Sequence, residues 1–279
     1  MKNKGKTIKL FLIDGQPNGR IQCELSNWTG KAYRIPRNQV RLCDDRADLD
    51  NAGVYLLLGR QDNGDPCAYI GEADGIRERM RQHLQHKEFW NEVIIFISKD
   101  NNLNKAHVRY LEKRLYEIAK QVDRYVLMNS NTPGGASISE PDAAEMEEFI
   151  DNLKVVINTL GVKIFEPIRE QHATLAEEQA NTFHLQTTNG ASATGQRNSD
   201  GFVVLKGSVI RQATTPSYQN FLLRLREKLI ADGVIEDFKF TKDYLFSSPS
   251  TAASIVMGRN ANGLLEWKLP TGKCLKEIE

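Results

Sequence analysis

The sequence predicts an α+β protein with more than one domain, and three observations carry that prediction. Residues 54–58 and 67–71 are short apolar segments on either side of a cluster of turn formers at 61–66, which is the pattern of a β-hairpin. Residues 105–121 carry apolar side chains at spacings of three and four, which is typical of a helix with one buried face. The chain has 279 residues, more than the roughly 100–200 of a typical domain, so we expect two or more units.

A second helix is predicted directly after the hairpin, over residues 75–84, with Asp74 as its N-cap. Arg79 and His83 are four residues apart and share one face of this helix, at the border of its apolar stripe. A guanidinium group can hold phosphate oxygens in a bidentate geometry and stays charged as negative charge develops on them. This face therefore indicates a phosphate-handling site, and the common alternative is a solvated basic helix.

The helix over residues 105–121 contributes an acidic candidate. Glu112 lies at the margin of the inward face, next to Leu111. Carboxylate oxygens are ligands that hard divalent cations prefer, so Glu112 is a candidate metal ligand. A surface glutamate paired with a basic neighbour is the usual outcome for a single residue of this kind.

Together these features resemble the GIY-YIG nuclease family. The triplets GVY at 53–55 and YIG at 69–71 are followed by Arg79, His83 and then Glu112 on the next long helix. The resemblance is specific in this order and spacing, and not in any one triplet.

The resemblance covers residues 50–132 and implies a three-stranded antiparallel sheet flanked by helices. Residues 93–98 would supply the third strand, and their β-branched composition supports a strand independently. The family also carries an asparagine after the glutamate helix. Asn129 is the preferred match because it ends the apolar run 125–128, and Asn131 is the alternative.

The chemistry that this resemblance implies is hydrolysis of a phosphodiester at a single-metal site. Glu112 would bind Mg²⁺ or Mn²⁺, and Arg79 would stabilise the charge on the phosphate while water attacks. Tyr69 would orient or deprotonate that water, with help from Tyr55. His83 would take part in proton handling or contact the backbone. A tyrosine with an ordinary pKa of about 10 is a poor base at neutral pH, so nearby positive charge is needed.

Composition limits the class of protein without naming one. A formal net charge of +1 neither demands nor excludes a nucleic acid as partner. The four cysteines are scattered with no CxxC pair, so we expect reduced thiols and no zinc site. The apolar segment 8–13 is too short for a signal peptide, and no stretch approaches membrane-spanning length. We therefore expect a cytoplasmic protein with no membrane association.

Four segments are predicted along the chain. Residues 1–49 form a β-rich N-terminal segment, residues 50–165 the nuclease-like domain, residues 166–181 a linker or exposed helix, and residues 182–279 a small α+β accessory domain. The N-terminal segment would pack on the nuclease-like domain or on its own hairpin. A helix over 140–160 would serve as a scaffold or as a dimer surface.

The accessory domain is predicted to contain strands at 183–186 and 201–205, paired around a reversal rich in Gly, Ala, Ser and Thr. Ser217 would cap a helix that turns Phe221, Leu222, Leu225 and Leu229 inward. Residues 264–268 would form a strand after a turn.

This domain resembles an uncharacterised domain, DUF4357, that is found behind GIY-YIG modules in bacterial proteins. The segments that carry the likeness are residues 202–208, 246–253 and 262–263, followed by Trp267. A fainter likeness to modules of restriction and DNA-methylation enzymes implies a role in DNA recognition. A structural interpretation also fits, in which Ser248 and its neighbours cap a helix while Trp267 fills a small core.

The sequence favours a bacterial, metal-dependent DNA endonuclease with one GIY-YIG-type site. The alternative is a catalytically silent module that binds nucleic acid or another partner on the same scaffold. A silent scaffold would commonly have lost part of the key residue set, and all of its members are present: Tyr55, Tyr69, Arg79 and Glu112. These residues do not separate DNA from RNA as substrate, and they leave the oligomeric state open.

Overall fold

The computed structural model describes residues 5–169 and 179–278, which form two compact units, Met1–Glu166 and Pro167–Glu279. Both units combine helices with β-strands, so the chain is α+β, as predicted. Residues 170–178 of the predicted linker lie outside the described residues. Within the described ranges, no helix is both long enough and apolar enough to span a lipid bilayer.

A seven-stranded sheet forms the centre of the first unit, in the strand order β1-β2-β3-β6-β4-β5-β7. Neighbouring strands are antiparallel except for β5 and β7, which are parallel. The strands are β1 (Ile8–Leu12), β2 (Ile21–Leu25), β3 (Gly30–Pro36), β4 (Gly53–Arg60), β5 (Pro66–Ala73), β6 (Trp90–Ser98) and β7 (Val126–Leu127).

The sheet is wider than the three strands that the sequence predicted for this region. The three expected strands are β6, β4 and β5 at its centre, and β6 explains the extension. Residues 93–98 of β6 are buried, so both edges of this strand need hydrogen-bonding partners. Strand β4 pairs with one edge, and β3 pairs with the other from Gly30↔Ser98 to Pro36↔Glu92. Residues 1–49 therefore supply strands to the same sheet.

Helices cover both faces of this sheet. On one face lie α2 (Lys105–Val122) and α3 (Glu140–Thr159), and on the other lies α1 (Ile76–His86) with two 3₁₀ segments, Arg37–Asp45 and Ala47–Asp50. Side chains of β4 alternate between these faces, because successive residues of a strand point to opposite sides. Val54, Leu56 and Leu58 join the core under α2 and α3, whereas Tyr55 and Leu57 join the core under α1.

The two helices that carry candidate site residues begin differently. Helix α1 has Gly75 as its N-cap and no side-chain cap, so the prediction that Asp74 caps it is wrong. The Asp74 carboxylate instead lies 3.1 Å from Nζ of Lys105 on α2. Helix α2 is capped by Asn104, whose Oδ1 accepts hydrogen bonds from the N–H groups of Ala106 and His107.

Within the described residues, the second unit contains a four-stranded antiparallel sheet in the order β13-β10-β9-β8, a short β11-β12 hairpin and several helices. The strands are β8 (Thr182–Gln186), β9 (Ser192–Asn198), β10 (Gly201–Val204), β11 (Ile235–Glu236), β12 (Lys239–Phe240) and β13 (Tyr244–Phe246). The helices are α4 (Asn220–Ala231), α5 (Pro249–Met257) and α6 (Gly263–Glu266).

Four predictions for the second unit are wrong. Ser217 does not cap α4, whose N-cap is Gln219 with no side-chain cap. Strands β8 and β10 do not pair, because β9 lies between them in the segment assigned to a reversal. Its small and polar residues resemble turn formers by composition, yet they alternate as a strand. Phe221 is 58% exposed, since the buried face of α4 carries Leu222, Arg226 and Leu229. Residues 263–266 form the helix α6 where a strand was expected.

Candidate active site

Tyr55 occupies the centre of the candidate site in the first unit. Its ring is fully buried, because the alternation of β4 turns it toward α1. The hydroxyl group lies 2.7 Å from Nε2 of His83, and Nε of Arg79 donates a hydrogen bond to it at 3.2 Å. The spacing of four residues between Arg79 and His83 brings both side chains of α1 onto the same tyrosine.

The protonation of this cluster follows from its burial. His83 is 4% exposed, and burial lowers its pKa to about 4, with Arg79, Lys87 and His86 adding to the effect. Its imidazole is therefore neutral at pH 7. Because Arg79 can only donate, the arrangement that satisfies the Tyr55 hydroxyl is to accept from Arg79 and donate to Nε2 of His83. Burial also raises the pKa of Tyr55, and the neighbouring Tyr69 reinforces this, so the phenol stays protonated.

Tyr69 is the more accessible of the two tyrosines. It is half-buried on β5, with its ring centroid 6.3 Å from that of Tyr55 and 5.5 Å from that of His83. Nζ of Lys87 lies 4.2 Å from the centroid of the Tyr69 ring. The hydrogen bond to Tyr55 is the main cause of the raised pKa of Arg79, and Tyr69 contributes to it as well. Tyr69 therefore belongs to the same cluster and faces solvent from it.

Gly71 is the residue that allows this packing. It pairs with Tyr55 in the register of β4 and β5. A Cβ atom at this position would collide with the Tyr55 hydroxyl, would lie 2.5 Å from its Cζ, and would lie 2.8 Å from Cε1 of Tyr69. Only glycine lets both tyrosine rings approach the β5 backbone so closely.

Glu112 lies on α2, which packs on the other face of the sheet. It is half-buried, and burial raises its pKa from 4.5 to about 7, with Glu72 as the next largest cause. The positive charges of Arg109, Lys105 and Arg79 act in the opposite direction. The carboxyl group therefore lies within the electrostatic reach of the arginine that binds Tyr55.

Glu72 follows the YIG triplet on β5 and was not singled out from the sequence. Its carboxylate is 2.9 Å from Nζ of Lys105, and this lysine also contacts Asp74. In the register of β4 and β5, Glu72 lies opposite Val54, which places it on the α2 face beside Glu112. The sequence signal that could have found it is the strand alternation itself, read from Tyr69 onward.

The two asparagine candidates differ sharply in their contacts. Asn129 donates from Nδ2 to the carbonyl of Ile70 at 2.7 Å, and its Oδ1 accepts from the N–H of Ile70 at 3.1 Å. This pair continues the short parallel pairing of β7 with β5 and fixes the backbone between Tyr69 and Gly71. Asn131 is exposed. Asn129 is therefore the asparagine that supports the site.

A further support is the 3₁₀ region before β4, which the sequence did not reveal. Arg37 donates from Nη1 to the carbonyl of Lys87 at 2.6 Å and from Nη2 to the carbonyl of Leu84 at 3.2 Å. Its guanidinium carbon lies 4.4 Å from the centroid of the Trp90 ring. Arg37 therefore binds carbonyl groups at the C-terminal end of α1, the helix that holds Arg79 and His83.

Within the part of the chain that the structure describes, no group of three or more His, Cys, Asp and Glu side chains is arranged to hold a metal ion. Glu112 and Glu72, the latter paired with Lys105, are nevertheless side chains of the type that a divalent cation binds. Burial raises the pKa of the half-buried Glu112 carboxyl and the negative charge of Glu72 raises it further, and a cation bound beside both groups would oppose these effects. Mg²⁺ commonly uses one or two protein carboxylates and takes its other ligands from water and substrate phosphates.

Comparisons with known proteins bear on the second unit. Residues 183–279 match the family model described as "Domain of unknown function (DUF4357)". This confirms the predicted likeness of the C-terminal region to that domain. No curated protein matches the chain. No solved structure matches it either.

The residues that carry the likeness to DUF4357 lie in the core of this region. The rings of Phe202 and Trp267 have centroids 4.6 Å apart, and both side chains are fully buried. Nε1 of Trp267 donates to the carbonyl of Pro249 at 3.0 Å. Ser248 caps α5 by accepting from the N–H of Thr251 at 3.1 Å. These residues hold the DUF4357 region together, as the structural interpretation of the sequence held.

Proposed function

We propose that the first unit is a metal-dependent endonuclease of the GIY-YIG type, which hydrolyses DNA phosphodiester bonds at one site. The observation that carries the proposal is the buried contact of one tyrosine hydroxyl, Tyr55, with both Arg79 and His83. The ring of a more accessible tyrosine, Tyr69, has its centroid 6.3 Å from that of Tyr55, and the Glu112 carboxyl interacts electrostatically with Tyr55 and Arg79. A phosphodiesterase needs these groups together: a fixed cation for the phosphate, a ligand for a metal ion, and hydroxyls that orient water.

Arg79 has the geometry to bind the scissile phosphate. Its Nε is engaged by Tyr55, which fixes the plane of the guanidinium group. Its Nη1 donates to Oε1 of Gln82 at 3.1 Å, an exposed contact on the same helix. A phosphate oxygen can replace that amide oxygen, since charge-assisted hydrogen bonds are roughly twice as strong as neutral ones. Tyr55 then acts as the group that holds Arg79 in position.

Each of the remaining side chains orients the attacking water, holds another residue in position or binds the metal ion. Tyr69 has access to solvent and is the residue that orients the attacking water. His83 is uncharged at neutral pH and accepts the Tyr55 hydroxyl proton in a hydrogen bond at Nε2, so we assign it to the positioning of Tyr55. Asn129 fixes the backbone next to Tyr69. Glu112 would hold Mg²⁺ or Mn²⁺. Such a cation would polarise a phosphate oxygen and stabilise the leaving 3′ oxygen.

The deciding experiment is cleavage of supercoiled plasmid DNA in the presence of Mg²⁺, Mn²⁺ or a chelator. We expect nicked circles from the wild-type protein with either metal and none with the chelator. Glu112→Gln should lower the cleavage rate by about 10³-fold or more, since it removes the proposed metal ligand. Glu117→Gln is the matched control on α2, because Glu117 pairs with Arg114 and Lys113 away from the cluster. It should leave the rate unchanged.

Two outcomes would contradict the proposal. Full cleavage by the Glu112→Gln variant would exclude Glu112 as the metal ligand. Absence of cleavage by the wild-type protein, with DNA binding retained, would favour a catalytically silent binding module on the same scaffold. Parallel reactions on RNA of the same sequence decide between the two polymers, which the active-site residues treat alike. Nicked circles that precede linear product would indicate one strand cut at a time.

A further inference from the structure

The tip of the β11-β12 hairpin in the second unit has a strained backbone. Asp237 and Phe238 both lie in the left-handed region, with φ of 48° and 60°. Two-residue hairpin turns of this kind favour Asn-Gly or Gly-Gly, because a residue with a Cβ is disfavoured in the left-handed region. Phe238 is 38% exposed and is not part of the core of the unit. The fold therefore tolerates strain at a position where the aromatic ring adds little to packing.

The exposed ring lines a cavity. Phe238 borders a space of about 340 Å³, in the size range of small-molecule sites. Three loops form the walls: the β8-β9 turn at 189–190, the segment 209–213 and the hairpin tip at 237–238. The residues that line it include one aromatic residue, Phe238, two residues with side-chain amides, Asn189 and Gln212, and two charged residues, Arg211 and Asp237.

A buried positive charge lies next to this cavity. Arg226 is 4% exposed and donates to the carbonyls of Arg211, of Gln212 at 3.2 Å and of Ile255 at 3.1 Å. Burial lowers its pKa, and among the described residues no carboxylate forms an ion pair with it. The wall formed by Arg211 and Gln212 is thus held by a guanidinium group without an acidic partner. Such a charge favours anionic ligands in its vicinity.

We propose that this cavity binds an unpaired nucleotide of single-stranded DNA. The base would stack on Phe238, and Arg211 would contact the phosphate backbone. Aromatic rings and arginines are the side chains on which unstacked bases pack, and amides and carboxylates bind the polar edges of bases. Asp237 makes a simple inorganic anion a poor ligand, whereas its carboxylate suits the amino groups of a base. The inference deepens the proposed function by giving the second unit a substrate-binding role.

The test measures binding without cleavage, on the full chain in the presence of a chelator. The probe is a dye-labelled single-stranded oligonucleotide of about 20 nucleotides, longer than the roughly 4–16 that one binding domain covers. Phe238→Gly removes the ring and relaxes the left-handed turn. We expect affinity to fall about five- to a hundred-fold, because one aromatic ring stacks one base. We also expect the unfolding temperature to stay the same or rise.

The controls use residues of the same types that do not line the cavity. Phe221→Ala removes a second exposed phenylalanine, 58% exposed on α4, and should leave the affinity unchanged. Arg211→Gln should weaken binding and lower its salt dependence, whereas Arg224→Gln on α4 should do so much less. A matched duplex should bind more weakly than the single strand.

Equal affinity of the wild type and Phe238→Gly for the single strand would overturn the inference, and so would equal losses in Phe238→Gly and Phe221→Ala. The two proposals fail separately. Glu112→Gln should lose cleavage and keep binding to the single strand, and Phe238→Gly should lose that binding with its active-site residues intact.

Discussion

The two units of this protein differ in where the polar groups of their candidate sites lie: on a strand and helices in the first unit, and mainly on loops in the second. In the first unit, Tyr55, His83 and Glu112 are drawn from a strand and two helices and lie close enough to shift one another's pKa or to share hydrogen bonds. In the second unit, the buried Arg226 is satisfied by backbone carbonyls, and the strained residues lie at an exposed hairpin tip. The residues of a site on strands and helices recur at regular spacings in the sequence. The residues of a cavity formed by loops show no such spacing.

The largest expected effect tests whether the residues shared with DUF4357 serve the fold. Trp267→Ala should destabilise the second unit by about 3–5 kcal/mol, because it empties a fully buried ring site and leaves the Pro249 carbonyl without its donor. Chemical denaturation of the full chain, followed by circular dichroism and not by tryptophan fluorescence, measures this loss of stability. Phe221→Ala should change the stability by less than about 0.5 kcal/mol. Equal stability of the Trp267→Ala and Phe221→Ala variants would contradict the structural role of Trp267.

The second prediction concerns the hydroxyl at the centre of the first unit. Tyr55→Phe should lower the cleavage rate by about 10²-fold, since Arg79 and His83 lose the group that positions them. The matched control is Tyr33→Phe. Tyr33 is buried in the same core, and its hydroxyl contacts Asp48 and Gln22. Both variants should lose about 1–2 kcal/mol of stability, and only Tyr55→Phe should lose activity. Equal activities would remove Tyr55 from the site.

Gly71→Ala tests the same tyrosine cluster by adding a methyl group where the two rings pack against the backbone. The added methyl group collides with both tyrosines, so we expect a loss of about 1–3 kcal/mol in stability and a strong loss of cleavage. Gly75→Ala is the control, because its Cβ would meet only the Asp50 carbonyl at 3.5 Å, an ordinary contact. It should retain most of the activity. A fully active Gly71→Ala protein would show that the rings need not pack so closely.

Much of the first unit is predictable because its rules are local. Strand alternation and the four-residue helical spacing place Tyr55, Arg79 and His83 on facing surfaces, and the structure brings these three into contact. The contributions of Arg37 and Glu72 depend on pairings between distant segments, which no local pattern encodes. In the second unit, residue composition gave wrong predictions. Strand β9 consists of residues typical of turns. Phe221 has the hydrophobicity of a core residue but lies on the exposed side of α4.

Asn129→Ala tests the hydrogen bonds that hold the β5 backbone in position, and we expect a smaller loss of activity than for Tyr55→Phe. It removes two hydrogen bonds to the Ile70 backbone, so we expect a loss of about 1–2 kcal/mol in stability and a moderate loss of cleavage. Asn131→Ala should be close to neutral in both measurements, since Asn131 is exposed. If Asn131→Ala were the more damaging variant, the assignment of the family's asparagine to position 129 would be wrong.

The smallest effect is a pH-dependent difference between the wild type and Glu112→Gln without metal. The pKa of Glu112 rises from 4.5 to about 7 on folding, so the folded protein binds the proton more tightly than the unfolded chain. This group therefore stabilises the fold fully below pH 4.5, and the contribution is lost as pH rises through about 7. Above pH 7, Glu112→Gln should be the more stable protein by about 1–2 kcal/mol, after allowance for partial exposure.

His83 has the opposite sign, since its pKa is lowered to about 4, but it is present in both proteins and cancels in the difference. Unfolding free energies at pH 5 and pH 8 in chelator measure the effect. Addition of Mg²⁺ at pH 8 should then stabilise the wild type more than Glu112→Gln, because the variant keeps Glu72 and lacks the second carboxylate. A pH-independent difference would mean that the Glu112 carboxyl is solvated, which removes the electrostatic reason for a cation at this position.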